Sequence, residues 1–161
     1  MPAVVLIEAD GSTGASLRAW QGTRTMFGTF QEAILARLGG DRRYALSGPG
    51  FERDVGDPKA WQSPGMVLRD EHGNELWLSG CSGGYRGTGP MGAGYILLKE
   101  GFAQEQLRLV LTCDPLHLAK GSAPLVAERN PDKSESAEDA DFVERLLDAE
   151  ASGYFQSLQE A

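Results

Sequence analysis

Apolar positions along the chain come in short runs punctuated by glycine, and the period of the runs changes from one to the next. The first run, Val4-Val5-Leu6-Ile7, is β-branched and continuous, which predicts a buried strand followed by a loop at Asp10-Gly11-Ser12-Thr13-Gly14. A second extended piece is expected between Ser16 and Trp20. Thr29-Phe30-Gln31-Glu32 then reads as a capping box, in which hydroxyl and carboxylate each satisfy an orphan amide. Phe30, Ile34 and Leu38 supply the apolar stripe of the helix it would start, and Gly39-Gly40 would close it. Residues 41–64 carry Ser47-Gly48-Pro49-Gly50, Asp57-Pro58 and one tryptophan, Trp61, and predict no regular element.

Downstream the pattern is firmer. Residues 66–70 and 75–79 alternate apolar and polar on either side of Glu71-His72-Gly73-Asn74, the signature of a β-hairpin. Residues 80–89 then hold five glycines in ten positions. Pro90 suits a first helical position and Gly101 the residue after a helix end, with Met91, Tyr95, Leu98 and Phe102 at near-helical spacing between them. A helix is the reading, set against a strand at Tyr95-Ile96-Leu97-Leu98 because Gly92 and Gly94 weaken helices by about 1 kcal/mol each. Leu107 to Cys113 is read as a strand stopped by Asp114-Pro115, which makes residues 75–113 a βαβ unit. Residues 116–126 are read as irregular with one short helix.

These elements predict an α+β or α/β fold: one mixed sheet with two or three helices in a single globular domain over residues 1–127. A charged, mobile linker over 128–137 would follow, then an amphipathic acidic C-terminal helix over 138–160 capped by Ser136. Phe142, Val143, Leu146 and Leu147 form that helix's apolar side, opposite Asp141, Glu144, Asp148 and Glu150, and Ser152-Gly153 should break it.

Charge sharpens the picture. The net of −8 is concentrated: residues 128–161 hold 10 acids against 3 bases, and residues 1–127 hold 13 against 12. A near-neutral body lacks the basic footprint that a phosphate backbone or an anionic membrane requires, so neither nucleic acid nor membrane is expected as a partner. No apolar run reaches the roughly 20 residues that span a bilayer, and the first residues lack a basic leader region. With only Cys81 and Cys113 available to pair, a reducing, cytoplasmic setting is expected.

Three kinds of chemistry converge on the glycine-rich stretch. Gly83, Gly84, Gly87 and Gly89 would let backbone amides approach a small anionic molecule, with Arg86 forking onto its oxygens, Thr88 donating a hydroxyl and Tyr85 stacking on a ring. Gly87-Thr88-Gly89-Pro90-Met91-Gly92 matches G-x-G-x-x-G, with Asp114 at the offset of a ribose-binding acid, but the match starts well past the strand end and Pro90 removes an amide. Gly80-Cys81-Ser82-Gly83-Gly84 fits G-x-S-x-G, and Asp114 and His117 follow in the order of an acyl-transfer triad. Asp114-Pro115-Leu116-His117 resembles the acid-and-base block of SGNH-type serine hydrolases over those four residues, which implies Asp114 and His117 as acid and base; a small hydrolase would use Ser82 or Cys81 as nucleophile. The nucleophile block of that family, Gly-Asp-Ser, is absent. Cys81, Cys113 and His117 could also form a thiol pair, a Cys-His dyad or part of a zinc site, yet no metal-binding spacing is present and neither a metal nor a cofactor is expected.

The tail carries the remaining signal. Phe142, Leu146, Tyr154 and Phe155 either anchor the helix on its own domain or serve as anchors for a partner. The function read from the sequence is a small cytoplasmic interaction protein, an inhibitor or immunity-like neutraliser of a partner with a basic surface. Its working parts would be the glycine-rich stretch and the acidic tail. A nucleotide- or anion-binding domain and a small hydrolase are the alternatives.

Overall fold

The structure, a computed structural model, describes residues 4–8, 10–35, 65–130 and 140–160. It is an α+β fold built on one mixed sheet of six strands: β1 (Val5–Glu8), β2 (Phe30–Leu35), β3 (Met66–Asp70), β4 (Glu75–Leu78), β5 (Cys113–Ala119) and β6 (Val126–Arg129), in the order β1-β4-β3-β2-β5-β6. Strands β2, β3 and β4 form an antiparallel meander, and β4 returns to lie parallel to β1. Helix α1 (Thr13–Thr23) therefore crosses from β1 to β2 over the gap that the meander fills.

Strand alternation sorts the sheet into two faces. Leu68, Met66, Leu76, Leu78, Ala33, Leu35, Leu116 and Leu118 join the main core, which they share with Leu17 and Trp20 of α1 and with Ala93, Ile96 and Leu97 of α2 (Thr88–Lys99). Ile34, Val67 and Trp77, fully buried on the opposite face, form a second cluster with Val5 beside it. The short helices α3 (Gln104–Leu107) and α4 (Leu109–Thr112) close the main core through Leu107, Val110 and Leu111.

Helices α5 (Phe142–Ala151) and α6 (Tyr154–Glu160) pack on α1, α2 and α3. Gly94 makes the α2–α5 crossing close: a Cβ there would lie 2.6 Å from Phe142 Cζ and 3.1 Å from Leu146 Cδ1. Tyr95 stacks on Phe155 at 4.0 Å between ring centroids, and its hydroxyl donates to Glu150 Oε2 at 2.9 Å. Lys99 Nζ reaches the same carboxylate oxygen at 3.0 Å, so α2 holds α5 by two polar contacts as well as by the aromatic stack.

Several expectations are met: the hairpin, the helix with Pro90 in its first turn and Gly101 just past its end at φ +89°, and the break at Ser152-Gly153; the first strand forms, but at the sheet edge with Val4 and Ile7 exposed, where its apolar run predicts a buried strand. Others are corrected. Residues 16–20 are helical, within α1, whose first turn is capped by the Ser12 side chain accepting from the Ala15 N–H. The helix expected from Thr29 is strand β2, because Phe30 to Leu35 pair with β3 and Glu32 to Leu35 pair with β5 as well. The strand expected at 107–113 is helical as far as Thr112, and β5 begins at Cys113 and runs on through Pro115. A register irregularity between Cys113 and Leu116 accommodates that proline, the usual setting for proline within a sheet. The βαβ unit over 75–113 is not formed: β4 and β5 lie two strands apart and run in opposite directions. Strand β6 extends the sheet to Arg129, past the expected domain end at 127. The loop at 41–64, Trp61, the Ser136 cap and most of the linker lie outside the described residues.

Candidate functional site

The glycine-rich stretch leaves β4 and enters α2, and several of its polar groups meet partners inside the chain. Thr13 Oγ1 donates to the Gly80 carbonyl at 2.7 Å, and the Gly80 N–H donates to Ser16 Oγ at 2.8 Å. Gly84, at φ +88°, donates its N–H to the Val110 carbonyl at 2.7 Å, and its carbonyl accepts from Asn130 Nδ2 at 2.9 Å. Gly83, Gly84 and Gly89 are buried, whereas Arg86, Gly87 and Thr88 face solvent and Tyr85 is half-buried. Amides bonded in this way keep strand, loop and helix close together, so the parts of the stretch that reach outward are Arg86 and Thr88.

The candidate catalytic side chains are distributed rather than assembled. Ser82 Oγ is hydrogen-bonded to Tyr85 OH at 2.8 Å. His117 lies on the other face of the sheet, opposite Ile34 in register, and its Nε2 contacts Glu32 Oε1 at 2.9 Å. Asp114 sits beside Gly84, where a Cβ would come within 2.7 Å of the Asp114 Cβ. Cys81 is fully buried, and burial pushes its thiol up to about 12, with the Ser16 hydroxyl opposing and the Glu8 charge adding to the shift. Burial raises the Cys113 thiol too, and neither sulfur is in a disulfide. Burial that disfavours the thiolate favours packing over nucleophilic chemistry at both sulfurs. Among the described residues no three His, Cys, Asp or Glu side chains are grouped to hold a metal.

A polar constellation that the sequence reading did not single out crosses the sheet face opposite the helices. Arg69 Nε pairs with Glu75 Oε2 at 2.9 Å, and Arg69 Nη1 pairs with Glu32 Oε2 at 3.2 Å. Glu75 is 1% exposed and accepts from Trp77 Nε1 at 3.0 Å, while Glu32 goes on to His117. The chain His117–Glu32–Arg69–Glu75–Trp77 thus links β5, β2, β3 and β4 in order. Arg69 Nη2 is buried and meets no acceptor among the described residues. The arrangement fixes register: a one-residue slip of any of these strands would turn a charged side chain into the main core. Its signal in the sequence is a charge at an alternate position inside an otherwise apolar strand, as in Glu75-Leu76-Trp77-Leu78.

The four residues expected as partner anchors all pack on the chain's own core. Phe142 and Leu146 are fully buried and Phe155 nearly so, all within the main core, and Tyr154 packs partly buried at its edge. The opposite side of α5 carries Glu144, Leu147, Asp148 and Ala151 at helical spacing, all exposed, with Asp141 and Arg145 flanking them. Leu147 is 48% exposed, an apolar side chain framed by acids.

Compared with protein-family models, with curated proteins and with solved structures, the chain finds no match. Among the described residues no helix is long and apolar enough to cross a membrane.

Proposed function

We propose that this chain is a protein-binding module that engages a lysine- and arginine-rich surface of a partner through the outward face of α5. The observation that carries the reading is the division of labour on that helix: Phe142 and Leu146 dock it inward, which leaves Glu144, Leu147 and Asp148 outward on a rigid support. An exposed leucine with Glu144 and Asp148 beside it suits a shallow apolar pocket next to cations, the acids giving steering and specificity and the leucine giving contact area. The net of −8 favours the same class of partner at long range. Free thiols at Cys81 and Cys113 support a reducing, cytoplasmic setting.

The test compares the full chain with the Glu144→Lys/Asp148→Lys double variant as bait in a native extract. Partners should be held by the parent, be eluted by salt, lose at least tenfold in retention on the variant, and carry basic surfaces. Identical capture by both baits, or retention insensitive to salt, would refute the proposal.

A further inference from the structure

The two edges of the sheet are built differently. Strand β6 bears exposed Glu128 and Arg129, follows Pro124 by one residue's gap, and pairs with β5 through an irregular register, all devices that discourage a further strand from adding. Strand β1 carries no proline and no register irregularity. Its residues Val5, Leu6 and Ile7 are uncharged and free of proline, and Val4 and Ile7 are 49% and 52% exposed. The one charge on the strand, Glu8, is folded back onto its own chain, accepting from the Ser79 N–H and hydroxyl at 3.1 and 2.8 Å and from the Asp10 N–H at 2.6 Å.

The register with β4 shows which peptide groups are left over. Val5 is opposite Glu75, and the Glu75 N–H donates to the Val4 carbonyl, so in this parallel ladder the N–H and C=O of Val5 and of Ile7 point away from β4. No described strand lies beyond β1.

We propose that this edge pairs with β1 of a second copy of the chain, antiparallel about a two-fold axis at Leu6, so that two six-stranded sheets become one. The strand is self-complementary in that register. Val5 falls opposite Ile7 of the second copy and Ile7 opposite Val5, and both are residues whose peptide groups face outward, so the pair exchanges four hydrogen bonds. Side chains agree with this: Val5 and Ile7 sit on the face of the Ile34, Val67 and Trp77 cluster, and the second copy's pair extends that apolar stripe across the axis. Charges agree as well, because Glu8 falls opposite Val4 and no like charges meet directly along the strands. A contact of this size falls short of the roughly 1,000 Å² of a stable interface, so the association is weak and concentration-dependent. Two chains of net charge −8 repel at long range, so added salt strengthens the dimer, the reverse of its effect on a basic partner held by α5.

Sedimentation equilibrium on the full chain, from micromolar to millimolar protein at low salt and at about 0.5 M salt, tests this directly. The expected result is a monomer–dimer equilibrium that tightens with salt, with the Val5 and Ile7 amide hydrogens gaining exchange protection as dimer forms. Ile7→Lys, at an exposed side chain, and Val5→Pro, which removes only an outward-facing N–H, should each weaken dimerisation at least tenfold while circular dichroism shows the parent fold. Glu144→Lys/Asp148→Lys should leave the dimer formed, which separates this outcome from that of the α5 face. A chain that stays monomeric to millimolar concentration, a dimer that both β1 variants leave intact, or Val5 and Ile7 amides protected only by some other added protein would each overturn the proposal.

Discussion

Replacing Gly94 by alanine should reverse its ordinary sign. In the interior of a helix such as α2 the change normally stabilises by about 1 kcal/mol, because glycine loses more backbone freedom on folding. Here the new methyl would stand 2.6 and 2.8 Å from the Phe142 ring and 3.1 Å from Leu146 Cδ1, where ordinary carbon contacts fall near 3.5–4.0 Å. The ring must retreat by about 1 Å, yet Phe142 and Leu146 are fully buried, so the strain belongs at the upper end of the 1–3 kcal/mol typical of overpacking. The net is a loss of about 2 kcal/mol, a fall of roughly 4–8 °C in Tm for a chain of this length. In a Phe142→Ala background, itself weakened by about 3–5 kcal/mol, the obstruction is gone and Gly94→Ala should stabilise. Urea unfolding of the four proteins gives the cycle, with an expected coupling of about 3 kcal/mol. If Gly94→Ala stabilises the parent chain, α5 does not pack on α2 and the reasoning fails.

Arg69→Met should cost about 3–5 kcal/mol by leaving Glu75 buried without its cation, and adding Glu75→Gln should recover part of that in denaturant unfolding. Asp70 is buried, which alone would raise its pKa, but hydrogen bonds from the Gly28, Asn74 and His72 amides and the Asn74 side chain hold it below the ordinary 3.8. A pKa lower in the folded state than in the unfolded one adds stability above 3.8 that is lost as pH falls through the folded value. Asp70→Asn should therefore flatten the acid limb of a stability-against-pH curve, and an unchanged limb would remove Asp70 from the account. Native chain at pH 8 should react slowly with an aromatic disulfide reagent at both thiols and rapidly once unfolded; prompt labelling of Cys81 would contradict its burial.

What the sequence made legible were the elements with strong punctuation. The hairpin turn at residues 71–74 states one conformation, and the Pro90-to-Gly101 frame favours the helix α2 over the strand that Tyr95 to Leu98 also allow. Residues 30–35 state two. Phe30 and Ile34 keep helical spacing and Thr29 and Glu32 fit a capping box, yet a central strand buried on both faces shows the same apolar run, and only its pairing with β3 and β5 decides. Residues 107–112 alternate like a strand, but Leu107, Val110 and Leu111 close the core as two short helical segments, a choice made by tertiary packing. Glycine-rich residues 80–89 signalled close approach correctly without saying whether a ligand or the chain itself approaches. His117 was legible as a polar residue near a strand end; its link through Glu32 to Arg69 and Glu75 depends on strand order, which no local pattern encodes.

Hydrogen exchange along α5 of the intact chain decides whether this helix belongs to the folded body and supports its acidic face rigidly. With Phe142 and Leu146 in the core, the amides of residues 146–150 should be protected to the same free energy as those of 95–99 in α2, and Gly94→Ala should lower the protection of both together. Exchange at the rate of an unstructured peptide across 146–150, with α2 still protected, would contradict it.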